Sequence, residues 1–286
     1  MKKIILSFVL LLAVQGVQAQ DCSTLKCPAP YDLTSGFSRG MSIVTGQKFL
    51  SEKIGEKLVK KAIKKNITSG DIKVNLDAYS VRDLKAGRFK SLEINGKNVD
   101  IQGVYISSFN AKTLCNFNYI ANDKRGNYIV KEDIPASFNA IITEEDLNKT
   151  MLSSDYKRMI DDINSIGGNL NIFQITSTNI KLKNDKMYYV LKYSMPFVRK
   201  TKELVITANL KVENGQIELA NTSFLNNSMA LDVDKLSKLI NYINPLDFSA
   251  KILENKDAKF NIETVNISNG KITIDGNMTI LKDKEQ

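Results

Sequence analysis

Stretches in which apolar and polar residues alternate recur along most of the chain. One carries Ile72, Val74, Leu76 and Ala78, and another carries Phe109, Ala111, Thr113, Cys115, Phe117 and Tyr119. Later sets are Ile134, Ala136, Phe138, Ala140, Ile142; Leu204, Ile206, Ala208, Leu210, Val212; and Ile272, Ile274, Gly276, Met278, Ile280. A period of two puts each set on one face of a strand. The pattern predicts a large, mostly antiparallel sheet with one apolar and one wet face. Whatever covers the apolar face decides what the protein does.

Helical periodicity interrupts the strands at three places. The first, from about Gly46 to Asn66, carries apolar pairs four apart: Ile54/Gly55, Leu58/Val59 and Ala62/Ile63. Lys53, Lys57, Lys60 and Lys64 lie on the opposite side, so the helix is sharply amphipathic, and Ser69-Gly70 ends it. A second helix opens at Thr143-Glu144-Glu145-Asp146, where Thr143 caps and Asp146 reaches back. Its pattern runs to about Ile166 and stops at Gly167-Gly168. A third, over about 232–243, breaks at Pro245.

Strands are predicted over about 71–79, 88–95, 98–106, 109–120, 128–142, 169–183, 186–197, 202–213, 216–225, 258–268 and 271–282. Asn95-Gly96, Asn184-Asp185, Asn214-Gly215 and Asn269-Gly270 read as turns, with a looser one over Asn122–Asn127. Alternating helices and strand blocks point to an α+β fold rather than a parallel α/β one. No Pro/Gly-rich linker divides the chain, so one domain is expected over 41–282 after an irregular lead-in over 20–40 that turns helical before Gly40.

The first residues read as a leader. Lys2 and Lys3 precede a short apolar run from Ile4 to Val14, and Val17-Gln18-Ala19 is a small-x-small cleavage site. A run of eleven residues is too short to span a bilayer, which takes roughly 20. Cleavage near Ala19 makes 1–19 a signal peptide and the product periplasmic or secreted. The formal net charge is +9, and the two lysines of the leader are part of it. That excess suits anionic lipid or envelope polymer, or simply a solvated lysine-rich surface. Export and the lack of an aromatic-basic pattern argue against nucleic acid.

Three cysteines leave one unpaired. Cys22 and Cys27 are the natural disulfide, being close in a proline-containing lead-in, and Cys115 on the apolar phase of its strand reads as a buried thiol. A bridge from Cys115 to the N-terminal segment stays open. With no histidine and no paired CxxC, neither a histidine triad nor a metal site is expected. No phosphate-cradling glycine motif is present, so no cofactor is expected. Glu144/Glu145 and Asp161/Asp162 are the carboxylate pairs a glycosidase would need, but neighbours on a helix diverge, and the first pair suits a helix N-terminus.

Two stretches carry a resemblance. The first runs from Leu84 through Gly87, Phe89, Leu92, Ile94, Gly96, Asn98, Val99 and Ile101 to Gly103 and Ile106; the second is Ile142-Thr143-Glu144-Glu145-Asp146-Leu147-Asn148. In this order, after an early helix, they resemble the LmeA-like phospholipid-binding family of bacterial envelope proteins. The match runs from about 45 to 250 and is clearest from 72 to 152. The resemblance implies a tubular lipid-binding fold, a long, strongly curved antiparallel sheet wrapped around a helix, and phospholipid binding in an apolar tunnel. Gly87 and Gly103 suit bends in such a sheet.

Small or polar inward residues (Ala78, Ala111, Thr113, Ala136, Ala140, Ala208, Gly276) leave volume that an acyl chain could occupy, unless large neighbours fill it. The residues expected to hold acyl chains are Ile54, Leu58, Ala62, Ile63, Leu76, Ile94, Ile101, Phe117, Phe138, Ile206 and Leu210, with Lys53, Lys57, Lys60 and Lys64 meeting headgroups or an anionic membrane surface. The expectation is a non-enzymatic carrier or sensor of envelope lipid. The alternatives are an envelope adaptor with a filled core and, more remotely, a two-carboxylate hydrolase. Lipid identity and oligomeric state are not written in the sequence.

Overall fold

A computed structural model describes residues 26–65, 67–122, 128–169, 174–195, 198–225, 243–246, 249 and 258–283. The leader, Cys22, most of the turn over Asn122–Asn127 and all but the end of the helix expected at 232–243 lie outside these residues.

The chain is α+β with every strand pairing antiparallel. Helices α1 (Gly36–Val44) and α2 (Gln47–Lys64) lead into β1 (Ser69–Ala78), a short α3 (Val81–Lys85), β2 (Arg88–Ile101) and β3 (Val104–Thr113). Then come β4 (Asn118–Asn122), β5 (Tyr128–Val130), β6 (Ile134–Thr143), α4 (Glu144–Met151) and α5 (Ser154–Asn169). The strands β7 (Gln174–Lys183), β8 (Lys186–Met195), β9 (Val198–Glu213), β10 (Gln216–Phe224), β11 (Ala258–Ser268) and β12 (Lys271–Ile280) complete the described chain.

The strands form two sheets. The larger has eight strands in the order β11-β12-β6-β3-β2-β4-β5, with β1 also on β2; the smaller runs β10-β9-β8-β7. Among the described residues neither sheet closes or curls strongly, so the wrap expected around an enclosed helix is not confirmed.

Turn chemistry explains much of this register. Asn184-Asp185, Asn214-Gly215 and Asn269-Gly270 all have positive φ, as tight hairpin turns require. Asn95-Gly96 does not turn. β2 runs straight through it, and the hairpin to β3 closes at Gln102-Gly103, both at positive φ. Gly96 instead allows close packing: a Cβ there would lie 2.8 Å from a Val99 methyl and 3.3 Å from Phe109. Likewise α5 continues through Gly167-Gly168 to Asn169 rather than stopping there.

The alternation holds across the large sheet. One inward row runs Val74, Ile94, Ala111, Phe138, Gly276, Ile262 across six neighbouring strands. The matching outer row is polar: the Asn110 amide donates to Asn95 (2.8 Å) and Glu93 (3.0 Å), and Asn139 donates to Asp275 (2.7 Å). The inward rows join residues of the small sheet, including Ile180, Tyr189, Leu191 and Ile206, in one continuous apolar cluster. Gly276 leaves no gap in it, since a Cβ there would sit 2.9 Å from the tip of the Phe138 ring and 2.4 Å from the Asn261 carbonyl. The large neighbour has taken up the volume the glycine gave away.

Candidate functional site

The early amphipathic helix is where the chemistry expected from the sequence has to be built. α2 lies along β1, whose one strand partner among the described residues is β2, so half of the β1 backbone amides face away from the sheet. Two of them are answered by the helix. The Leu76 amide donates to Glu56 Oε1 (3.3 Å) and the Ala78 amide donates to Glu52 Oε1 (2.9 Å). Lys48 bridges the same seam, 2.8 Å from Asp77 and 3.5 Å from Glu52. Burial alone would lower the Lys48 pKa, but Asp77 and Glu52 outweigh it and the ammonium is held above its ordinary value.

This orientation is set by Gly55. A Cβ there would come within 2.6 Å of a Leu76 methyl, so the helix backbone rests directly on the Leu76 side chain. Val59 and Ile63 continue the contact face, and Ile63 is buried in the shared cluster. The two acidic residues of α2 therefore face inward and its bulkiest aliphatic ridge faces out. Ile54 and Leu58, expected as an enclosed wall, are 61% and 59% exposed. The reason is that an edge strand needs acceptors, and glutamates supply them where leucines do not. Ala62 is half-buried at the margin.

The lysines divide as well. Lys53 pairs with Glu56 (2.7 Å) and sits over the Phe49 ring (5.6 Å). Lys60 is half-buried, whereas Lys57 and Lys64 are exposed and form no ion pair among the described residues.

The remaining expected acyl contacts are inward. Leu76, Ile94 and Phe138 lie on the inner face of the large sheet, and Ile101 is buried at the end of β2. Ile206 is buried on β9 between Tyr189 and Phe224, and Leu210, half-buried, pairs with Leu219. All of these belong to or pack on the one cluster.

Phe117 belongs elsewhere. β3 ends at Thr113, and residues 114–117 form a turn rather than the strand expected through Tyr119. Phe117 is buried in a separate aromatic group with Tyr31 (5.1 Å), Tyr119 (6.3 Å) and Tyr79 (6.4 Å). Beside it, Cys115 forms a disulfide with Cys27 across 88 residues of sequence. The expected Cys22–Cys27 pair is thereby overturned. Local spacing favoured it, but the lead-in folds back across the sheet and brings Cys27 to the turn.

Other contacts pin the same strap. Arg88 pairs with Asp32 (2.5 Å) and lies over Tyr119 (5.7 Å). Thr34 donates its amide (2.9 Å) and hydroxyl (2.7 Å) to the buried Asp83 carboxylate, which also accepts from Ser80 (2.6 Å). Burial pushes the Asp83 pKa up, but these donors and the Arg88 charge outweigh it and leave the pKa lowered.

The Thr143–Asn148 motif turns out to be structural on both sides of the helix start. Thr143 and Asp146 form the expected capping box. Beyond it, Glu144 Oε2 accepts from the Leu182 amide (2.8 Å), and Asn148 both donates to and accepts from the backbone of Ile180. Asn164 of α5 does the same for Ile175 (2.9 and 2.7 Å). The free edge of β7 is thus satisfied by side chains, as β1 is by Glu52 and Glu56. The sequence offered one clue to this role, an i, i+4 pair of hydrogen-bonding residues (Glu144 and Asn148) on a helix that follows a strand directly.

No group of three or more Cys, Asp or Glu side chains suited to a metal ion occurs among the described residues, and none of their helices is long and apolar enough to cross a membrane. What the arrangement offers chemically is extended apolar surface: a buried face shared by two sheets and an exposed helical ridge edged by lysines.

A search of curated proteins and one of solved structures find no match. A family model described as LmeA-like phospholipid-binding matches residues 46–277, from Gly46 just before α2 into β12. That span includes both sheets, well beyond the two motifs from which the resemblance was drawn, and the chain belongs to the LmeA-like phospholipid-binding family.

Proposed function

We propose that the protein is an exported envelope protein that binds phospholipid by its acyl chains between the two sheets and carries or senses that lipid without chemically altering it. The observation that carries the reading is the family membership, because its description names the ligand class. The continuous apolar cluster supports it. Ile94 and Phe138 of the large sheet and Ile206 of the small one share that cluster, which is lined by aliphatic and aromatic side chains of the kind that host hydrocarbon. Each methylene moved from water to such a surface contributes about 0.8 kcal/mol. Ile54 and Leu58 have no part in the enclosed contact, since they face outward.

Export rests on the leader pattern of Lys2, Lys3 and the run ending at Val17-Gln18-Ala19. The lysine-flanked helix gives the headgroup a place at the protein surface, and the absence of a charged pocket motif in the sequence favours loose headgroup selectivity.

The test is photo-crosslinking with a phospholipid bearing a diazirine midway along one acyl chain. Labelled peptides from β2, β6 and β9 are expected. Labelling confined to α1–α2, with the sheets untouched, would replace the carrier with an adaptor whose core is already full.

A further inference from the structure

The α1–α2 pair carries an apolar ridge with no partner among the described residues. Phe37 (80% exposed) and Val44 (82% exposed) stand on α1, and Leu50, Ile54 and Leu58 follow at helical spacing on α2. Most of the exposed large apolar side chains among the described residues fall in this stretch. A soluble surface rarely gathers such residues without a partner.

The charges around the ridge are of one sign. α1 contains no acidic residue, and both acids of α2 are engaged with β1. Lys57, Lys61, Lys64 and Lys65 continue the ridge toward its C-terminal end and form no ion pair among the described residues. A second copy of the same face would bring lysines against lysines with no free carboxylate to answer them. Hydrocarbon under a layer of negative charge answers both features at once.

We infer that the α1–α2 ridge docks on the surface of an anionic phospholipid bilayer, its apolar side chains entering the headgroup boundary while the lysines meet lipid phosphates. The pair lies on the surface without spanning it. The strap of Cys27, Tyr31, Asp32 and Thr34 ties the start of α1 to the large sheet, so docking fixes the orientation of the whole protein against the membrane. The inference deepens the phospholipid reading and rests on it, giving the carrier a way to reach its donor membrane.

The experiment is co-sedimentation of the purified protein with vesicles of phosphatidylcholine alone, or of phosphatidylcholine mixed with phosphatidylglycerol at about two to one. Binding to the anionic vesicles is expected to be about tenfold or more tighter and to weaken with salt. Replacing Ile54 and Leu58 together by Gln, or Lys57, Lys61, Lys64 and Lys65 together by Gln, is expected to lower it about tenfold. Both variants should keep the wild-type melting temperature, and the Ile54/Leu58 variant, which lies outside the enclosed contact, should also keep acyl-chain crosslinking to β2, β6 and β9. Equal binding to the two vesicle types, or variants that bind like wild type, would overturn the inference. So would a dimer broken by the Ile54/Leu58 variant with no change in vesicle binding, or protection of both residues from hydroxyl-radical footprinting in the lipid-free monomer. Loss of sheet crosslinking with vesicle binding intact would count against the carrier reading alone.

Discussion

The side-chain amide of Asn148 holds the backbone of Ile180 at two points, donating to its carbonyl at 2.9 Å and accepting from its amide at 2.8 Å. Ile180 is on β7, at the end of the small sheet, and is fully buried. One asparagine on α4 thus stands where the described sheet has no further strand and ties the helix following the large sheet to the small sheet. Removing it leaves a buried donor and acceptor unpaired, which costs about 1–3 kcal/mol for each group left unsatisfied. Asn148→Leu should lower the melting temperature by several degrees, while an exposed change such as Lys183→Gln should leave it unchanged in the same thermal scan.

Gly55 fixes the approach of α2 to β1. Its missing Cβ would lie 2.6 Å from a Leu76 methyl. Gly55→Val must push the helix away and strain the glutamate contacts to the Leu76 and Ala78 amides. The expected destabilisation is about 1–3 kcal/mol by chemical denaturation, although an interior helix glycine otherwise costs about 1 kcal/mol relative to alanine. A Val variant as stable as wild type would show that the seam is looser than its geometry.

The Cys27–Cys115 bridge closes an 88-residue separation. Removing such a bridge typically costs 2–5 kcal/mol, roughly, chiefly by freeing the unfolded chain. Cys27→Ser and Cys115→Ser should therefore lose stability equally, and adding a reductant to either should change nothing further. Peptide mapping without reduction should recover a Cys27–Cys115 peptide. A Cys22–Cys27 peptide in its place would contradict the fold of the strap.

Alkali should open the core at its tyrosine pair. The Tyr156 hydroxyl donates to the Ile243 carbonyl (2.6 Å) and lies 3.0 Å from the Tyr189 hydroxyl. Burial pushes Tyr156 up to about 12 and Tyr189 well above its ordinary 10. The folded protein keeps both phenols protonated where the unfolded chain would release them. Their contribution is complete below about pH 10, the unfolded value, and is lost at higher pH, for Tyr156 as pH climbs toward its folded value of about 12. Stability measured by denaturant titration should fall between those limits. In Tyr156→Phe the fall should be shallower, starting from a lower plateau because the Ile243 carbonyl has lost its donor.

Local features were readable in the sequence where one residue type serves one purpose. Asn184-Asp185, Asn214-Gly215 and Asn269-Gly270 turned as expected because adjacent residues at positive φ leave few other conformations. The Thr143–Asp146 cap is local too. Gly96 misled because a glycine also serves close packing, here against Val99 and Phe109, and nothing local separates the two uses. The face of α2 misled for a related reason. The helix carries aliphatic residues on two sides, and ordinary patterning turns glutamates to water. Glu52 and Glu56 went inward to answer the edge of β1, a need visible only once the strand order is known. Cys27 and Cys115 are joined by a fold-back of the whole lead-in, which no spacing rule contains. The inward positions Leu76, Ile94, Ile101, Phe138 and Ile206 were legible because burial repeats every second residue.

Native mass spectrometry of the protein, isolated gently from the membranes of its own cells, tests the central claim most directly. The account predicts a folded species carrying phospholipid in whole-number stoichiometry, with the lipid released on denaturation and its mass matching that cell's membrane lipids. A folded protein found only at its bare polypeptide mass, which also takes up no phospholipid when offered it in vesicles, would contradict the account.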